Sequence, residues 1–403
     1  MKNKNLLVGQ SGGPTVAINA SLSGVLEMGY QMPEIGKVYG ARNGIQGVLE
    51  ERLCDMEPYR DQLEVLRVTP SMFLGSCRYK LPEEGEGQDI YEKIFEVFSR
   101  YEIGYFFYIG GNDSMDTVLK LSAYAEKIGY DISIIGVPKT IDNDLMEIDH
   151  TPGFGSAAKY IASSILEMAH DTYIYPVKSV LIVEIMGRNA GWLTASSVLA
   201  RNEYSDAPHL IYLPEKPFQT SRFIRDVQEQ LEHKDQVIVA VSEGIRDTEG
   251  KYISAQASQV DQFGHVMLSG TGKYLESLVA DTIGCKVRSV ELNVLQRCAS
   301  HIASKTDIME AAQLGREAVK KAVEGQTGVM SRLTRTSDDP YVVEYSMAPI
   351  ARIANEEKKI PAEWINEEGN DVTDEMTAYL KPLIQGEMPV PYEDGLPKYL
   401  YLE

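Results

Sequence analysis

The sequence predicts an α/β protein built on mostly parallel sheets. Apolar runs of strand length alternate with helical patterns along the chain, the arrangement parallel sheets require. Strand-like runs lead twice into a glycine turn and then a helix, over 6–28 and over 104–127. A third apolar run, 132–137, leads into Pro138-Lys139-Thr140-Ile141-Asp142-Asn143-Asp144. Open α/β sheets bind ligands outside the carboxyl ends of their strands, so these turns are the candidate site.

Leu6-Leu7-Val8-Gly9 forms the first predicted strand. Gln10-Ser11-Gly12-Gly13-Pro14-Thr15 follows, then a helix pattern over 16–28. Gly12 and Gly13 let backbone N–H groups come close to an anion at a helix start, with Pro14 in the first turn. The spacing is neither a Walker A loop nor G-x-G-x-x-G; by itself it is equally a tight turn. Residues 82–87 are acidic and contain glycine, as in an exposed loop. The 88–100 stretch places Ile90, Ile94, Phe95, Val97 and Phe98 on one helical face, a core pattern rather than a binding one.

Gly104-Tyr105-Phe106-Phe107-Tyr108-Ile109 is a buried strand. It enters Gly110-Gly111-Asn112-Asp113-Ser114 and a helix through Lys127. The 132–137 strand then stops at Pro138, which has no N–H for a ladder. The turn after it packs an ammonium, a hydroxyl and two carboxylates into a few residues. One carboxylate there can take a proton while the other holds a metal. Asp and Asn also favour capped turns, the plainer reading of the same residues.

Gly153, Gly155 and Ala158 satisfy G-x-G-x-x-A, but no strand pattern precedes them and a dinucleotide site is not expected. His150 and His170 read as ordinary polar residues. Residues 180–185 form another strand, leading to Met186-Gly187-Arg188 and a helix expected over 189–200. Strands are expected over 209–213 and 237–241, the second leading to Ser242-Glu243-Gly244. A helix pattern covers 307–323. The acidic, proline-dotted stretch 361–403 carries no motif and reads as a tail wrapping one lobe, or a subunit contact.

At 403 residues, the chain has room for two or three domains. Its net charge of −20 argues against nucleic acid and anionic membranes, which need a basic face. A small anionic substrate needs only a local basic cluster. The four cysteines, Cys54, Cys77, Cys285 and Cys298, form no C-x-x-C pair, so reduced thiols are expected rather than zinc or a redox motif. No apolar run is long enough for a signal segment or a membrane span. A cytoplasmic protein is the expectation.

PKTIDND at 138–144, with the turns at 10–15, 74–78, 110–114 and 186–188, resembles the phosphofructokinase family, most closely its pyrophosphate-using branch. The resemblance spans roughly residues 5 to 325 in matching order. It implies two Rossmann-like lobes with mostly parallel sheets and an active site in the cleft between them. It places residues 1–154 in a donor lobe, joined again by about 297–345, residues 155–296 in a sugar-phosphate lobe, and 346–403 in a C-terminal extension.

The resemblance implies reversible phosphoryl transfer between pyrophosphate and fructose 6-phosphate. Gly12, Gly13, Gly111 and Asn112 would meet the donor, and Arg78 in Leu74-Gly75-Ser76-Cys77-Arg78 the transferring phosphate. Asp142 would be the general base, and Lys139 would place a compact charge on the phosphoryl group. Thr140, Met186, Gly187, Arg188, Glu243 and Arg297 would bind the sugar phosphate. Arg288 would reach a neighbouring subunit's site. ATP-using relatives carry glycine at position 113; Asp113 would repel a nucleotide's α-phosphate and spare pyrophosphate.

Three positions depart from the family pattern. Asn112 stands where an aspartate helps hold Mg²⁺, leaving Asn112 and Asp144 as a weak metal pair. Ser179, beside Lys178, replaces a partner arginine, and Val294 a histidine or tyrosine. A homodimer is expected, with a tetramer as the alternative. The rival readings are an ATP-dependent phosphofructokinase and a non-catalytic regulatory subunit of the same fold. Sedoheptulose-phosphate kinase activity would be a side reaction.

Overall fold

The computed structural model describes residues 3–83, 85–253 and 270–403. Two sheets organise it. The first has the strand order β11-β10-β5-β4-β1-β2-β3, from β1 (Lys4–Gln10), β2 (Ile35–Ala41), β3 (Leu53–Asp55), β4 (Ile103–Gly110), β5 (Ser133–Pro138), β10 (Val329–Asp338) and β11 (Tyr341–Pro349). β1, β2, β4, β5 and β10 run parallel; β3 and β11 close the two edges antiparallel. The second sheet is parallel, in the order β7-β8-β6-β9. Its strands are β6 (Ser179–Ile185), β7 (Leu210–Tyr212), β8 (Gln236–Ser242) and β9 (Lys286–Glu291).

Helices cover these sheets, as buried parallel strands demand. Between β1 and β5 lie α1 (Ile18–Gln31), α2 (Gly44–Leu49), α3 (Leu63–Val68), α4 (Gln88–Arg100) and α5 (Asn112–Ile128). Then come α6 (Phe154–Tyr173), α7 (Trp192–Ala195), α8 (Thr220–His233), α9 (Thr271–Ile283), α10 (Lys305–Val323) and α11 (Asp374–Leu380). Four positions of the α4 pattern are realised as read: Ile94, Phe95, Val97 and Phe98 are buried against β4 and α5, whereas Ile90 is only partly buried and Tyr91 joins the core instead. α1 starts two residues later than its pattern, because the Thr15 hydroxyl accepts from the N–H groups of Ala17 and Ile18.

Two helices differ from expectation. α6 was hidden by its glycines, which serve packing rather than a nucleotide. A Cβ at Gly155 would meet the Leu383 carbonyl at 2.6 Å. The α6 N-terminus is capped from a distance, with Asp307 of α10 accepting from the N–H of Gly153 at 2.8 Å and of Ser156 at 3.0 Å. Such a carboxylate also suits the helix dipole. The helix expected over 189–200 is only α7 followed by a 3₁₀ turn, Ser196–Ala200. Its first residues are spent on the turn after β6, where Gly187 sits at φ 133°.

The last segment does not wrap one lobe alone: its first half is seated in the core of the second sheet and its end lies against the first. Ile365, Val372, Met376, Leu380 and Leu383 are buried with α6, α7 and β6. Leu400 and Leu402 pack against the α1 side of the first sheet. Among the described residues no helix is long and apolar enough to cross a membrane.

Candidate active site

The carboxyl ends of β1, β4, β5, β6 and β8 converge on one cleft of about 800 Å³. From the first sheet it is lined by Gly12, Gly13, Arg78, Gly111, Asn112, Asp113, Lys139, Thr140, Asp142 and Asp144. From the second come Met186, Gly187, Arg188 and Glu243, with Arg297 from the segment after β9. Arg288 alone of the candidates lies elsewhere, exposed on the edge strand β9.

The β1 turn is shaped by a left-handed glycine. Gly12 adopts φ 80°, a conformation that glycine takes without steric cost. The Ser76 hydroxyl donates to its carbonyl at 2.8 Å, tying the Arg78 loop to this turn. Lys139 crosses beneath: its Nζ donates to the Gly13 carbonyl at 2.6 Å, and the residue is only 2% exposed. Burial lowers the Lys139 ammonium to about 8, although Asp142 and Asp144 pull it upward. A cation that can still donate thus sits at the floor of the donor turn.

The β5 turn presents the carboxylates. Thr140 Oγ1 accepts from the Asp142 N–H at 3.1 Å, and the Thr151 hydroxyl donates to the Thr140 carbonyl at 2.8 Å. Asn143, at φ 53°, turns inward to donate to the Tyr379 hydroxyl and accept from the Thr151 N–H. Asp142 and Asp144 therefore face the cleft. Burial pushes the Asp142 carboxyl up, opposed by Arg188, Lys139 and Arg297. Asp144 is pushed up to about 7, by burial first and then by the charge of Asp142. A raised carboxyl is what a general base working near neutrality needs.

On the second sheet the backbone is set by Ser242, whose hydroxyl donates to the Gly187 carbonyl at 2.5 Å. Glu243 accepts from the Gly187 N–H at 3.2 Å. Burial takes Glu243 up to about 7 against that hydrogen bond, with the Asp142 charge adding to the rise. A side chain at position 244 would collide with the Arg188 carbonyl, 2.2 Å from an added Cβ. The glycine lets the two turns nest, which brings Arg188 and Glu243 to the same wall.

Sequence reading missed Asn189, Tyr252, Asn355 and Glu357, which also line the cleft. Asn355 and Glu357 come from a strap after β11 that carries no motif. Asn112 explains the strap's position. Its Nδ2 donates to the Glu356 carbonyl and its Oδ1 accepts from the Asn355 N–H, both at 2.6 Å. An aspartate could accept but not donate, so the amide found here fits the strap. With that oxygen engaged, Asn112 is a poor metal ligand.

Among the described residues no three His, Cys, Asp or Glu side chains gather as a metal cage. Asp144 remains a cleft carboxylate. Magnesium commonly binds through one or two carboxylates plus substrate phosphates, a demand this site fits.

Three comparisons with known proteins bear on the family. Residues 5–322 match the family model described as phosphofructokinase. The pyrophosphate–fructose 6-phosphate 1-phosphotransferase of Methylococcus capsulatus is 44% identical over 100% of this chain and 96% of its own length. The protein of the same name from Halomonas elongata is 43% identical, covering 99% of this chain and 96% of its own. The crystal structure of a pyrophosphate-dependent phosphofructokinase from Marinobacter aquaeolei superposes with a TM-score of 0.89, at 40% identity over 98% of this chain and 95% of that one. Family model, full-length relatives and solved structure coincide on the chain that builds this cleft, and the protein belongs to the phosphofructokinase family.

Proposed function

We propose that the cleft transfers a phosphoryl group reversibly between pyrophosphate and the 1-hydroxyl of fructose 6-phosphate. The observation that carries this reading is the meeting of Lys139, Asp142 and Asp113 in one cleft. Full-length relatives bearing that activity in their name support it.

Asp142 takes the proton from the sugar hydroxyl as its oxygen bonds to phosphorus. The bridging P–O bond of pyrophosphate breaks, and inorganic phosphate leaves. Little covalent work falls to the protein in such transfers; positioning and charge do most of it. Lys139, Arg78 and the N–H groups of the Gly12–Gly13 turn stabilise the moving charge. Arg188 and Arg297 hold the 6-phosphate, for which a planar fork is suited. Glu243 orients sugar hydroxyls. Bound magnesium supplies charge neutralisation at the phosphate oxygens, and Asp144 is the residue of this chain that would hold it.

Asp113 selects the donor. It stands exposed in the first turn of α5, beside Gly111, and faces the cleft. A nucleotide's additional phosphate would be brought against this carboxylate, whereas pyrophosphate ends short of it.

A homodimer completes the reading. Ile174, Tyr175, Val177, Val294 and Leu295 are exposed by 64%, 51%, 46%, 47% and 54% around the β9 edge, where Arg288 also lies. An open edge with apolar neighbours is a surface a second copy would cover. It would bring Arg288 to the neighbour's sugar phosphate. The described cysteines are free thiols, as suits a cytoplasmic enzyme.

The test is Asp142→Asn, assayed with pyrophosphate and fructose 6-phosphate. Loss of the base lowers kcat by roughly 10²–10⁴-fold. Turnover within a few-fold of the unaltered enzyme would remove Asp142 from this role.

A further inference from the structure

We propose that Lys358 is a positioning residue for phosphoryl transfer, its ammonium fixing the turn that presents Asp142 and Asp144 to the cleft. The proposal rests on reading the cleft as a phosphoryl-transfer site. Lys358 lies beyond the stretch matched by the family model, which ends at residue 322, and none of the motifs read from the sequence includes it.

The turn in question is unusual in its backbone. Asn143 and Glu147 both have positive φ, 53° and 61°. Non-glycine residues pay for such a conformation with about 1 kcal/mol or more and hold it only when their surroundings impose it. Lys358 supplies part of that imposition from one side chain, beside Tyr379 and Thr151 at Asn143 and Arg332 at Glu147. Its Nζ donates to the carbonyls of Ile148 at 3.2 Å and Asp149 at 2.6 Å, and to Asn143 Oδ1 at 3.3 Å. Its backbone N–H donates to the Asp144 carbonyl at 2.7 Å. One residue therefore grips the turn at both ends.

Lys358 is itself anchored to both lobes. Its carbonyl accepts from the Trp192 indole N–H at 3.0 Å, and its ammonium lies 5.3 Å from the centre of the Trp192 ring. Asn112, at the head of α5, clasps the preceding strap residues Asn355 and Glu356. Asn189, in the turn after β6, donates to Glu357 at 2.9 Å. The strap crosses the cleft from the donor turn to the sugar-phosphate turn and delivers the ammonium behind the catalytic carboxylates. Its strap neighbours Asn355 and Glu357 line the cleft, whereas Lys358 stands behind it.

If Lys358 works through the turn, losing it displaces the base without removing substrate contacts. A misplacement of the order of 1 Å costs about 10²-fold in rate, and an interaction realised only in the transition state is lost from kcat. The experiment is Lys358→Met in the full chain, assayed with pyrophosphate and fructose 6-phosphate at a temperature where circular dichroism shows the variant folded. The expected result is a fall in kcat on the order of 10²-fold, with both KM values within a few-fold of the unaltered enzyme. Unchanged kcat, or a loss confined to KM, overturns the proposal. Should Lys358→Met not fold, Trp192→Phe tests the same device by removing the indole N–H that holds the Lys358 carbonyl while leaving the lysine in place. It is expected to lower kcat by roughly 10-fold at little cost in KM, and unchanged kcat there also overturns the proposal. An unaltered chain that turns over no pyrophosphate overturns the reading of the cleft, and this proposal with it. An active chain indifferent to both substitutions overturns the role of Lys358 alone.

Discussion

The Lys139 ammonium donates to the Gly13 carbonyl across 2.6 Å, joining the turn after β5 to the turn after β1 beneath the donor end of the cleft. Because burial has lowered this ammonium to about 8, its charge is lost near the upper edge of the neutral range. The free enzyme should lose kcat/KM as pH rises through about 8, since in the proposed reaction the cation present below that value stabilises the moving phosphoryl group. Lys139→Met should lower kcat by about 10²–10³-fold, the cost of removing one donor aimed at transition-state charge. A pH–rate series on both enzymes checks this, and the alkaline limb should weaken in the variant, what remains reporting Lys358, whose ammonium burial also lowers to about 8.

Asp113 heads α5 at the mouth of the donor pocket. Replacing it with glycine removes the like charge that a nucleotide would meet. Asp113→Gly should raise kcat/KM for ATP by roughly 10-fold or more, a modest share of the several kcal/mol that like charges can cost. Steady-state rates with ATP measure it directly. An unchanged ATP rate would show that the acid is not the barrier.

His150 is held between two carboxylates in the core behind the site. Its Nδ1 is 2.8 Å from Asp149 and its Nε2 2.6 Å from Glu310. Burial alone would lower the imidazole, but the Glu310 charge and the two hydrogen bonds raise it to about 9. A group whose folded value is raised gives its full stabilisation below the unfolded value, near 6.5. That stabilisation is lost as pH rises through about 9. It amounts to about 3 kcal/mol at most for a shift of this size. The thermal midpoint should therefore fall between about pH 6.5 and pH 9, and His150→Gln should flatten that decline. A midpoint with the same pH slope in both proteins would contradict the assignment.

The site was legible where its residues sit next to a strand in sequence. Gly12, Gly111, Lys139, Asp142, Arg188 and Glu243 each follow a buried apolar run by a few positions, and parallel topology then brings those turns to one cleft. The strap was not legible. Asn355 to Lys358 lies far along the chain from Asn112 and Asp144, and only tertiary packing unites them. α6 was not read as a helix, although its G-x-G-x-x-A pattern was set aside as a nucleotide site; the glycines at 153 and 155 allow close approach to Thr15 and Leu383. The final segment read as a tail wrapping one lobe because it is acidic and carries no motif, yet Met376, Leu380 and Leu383 supply the apolar face that packs on α6 and α7. Charge along a segment reports what faces water, and a few apolar side chains at the right spacing are enough to seat it in a core.

The most direct measurement of the central claim is kcat/KM for phosphorylation of fructose 6-phosphate with pyrophosphate and with ATP, on the same purified enzyme. Pyrophosphate should be preferred by at least about 10²-fold, a few kcal/mol in all, of which repulsion by Asp113 is one part. Equal or better use of ATP would contradict the account.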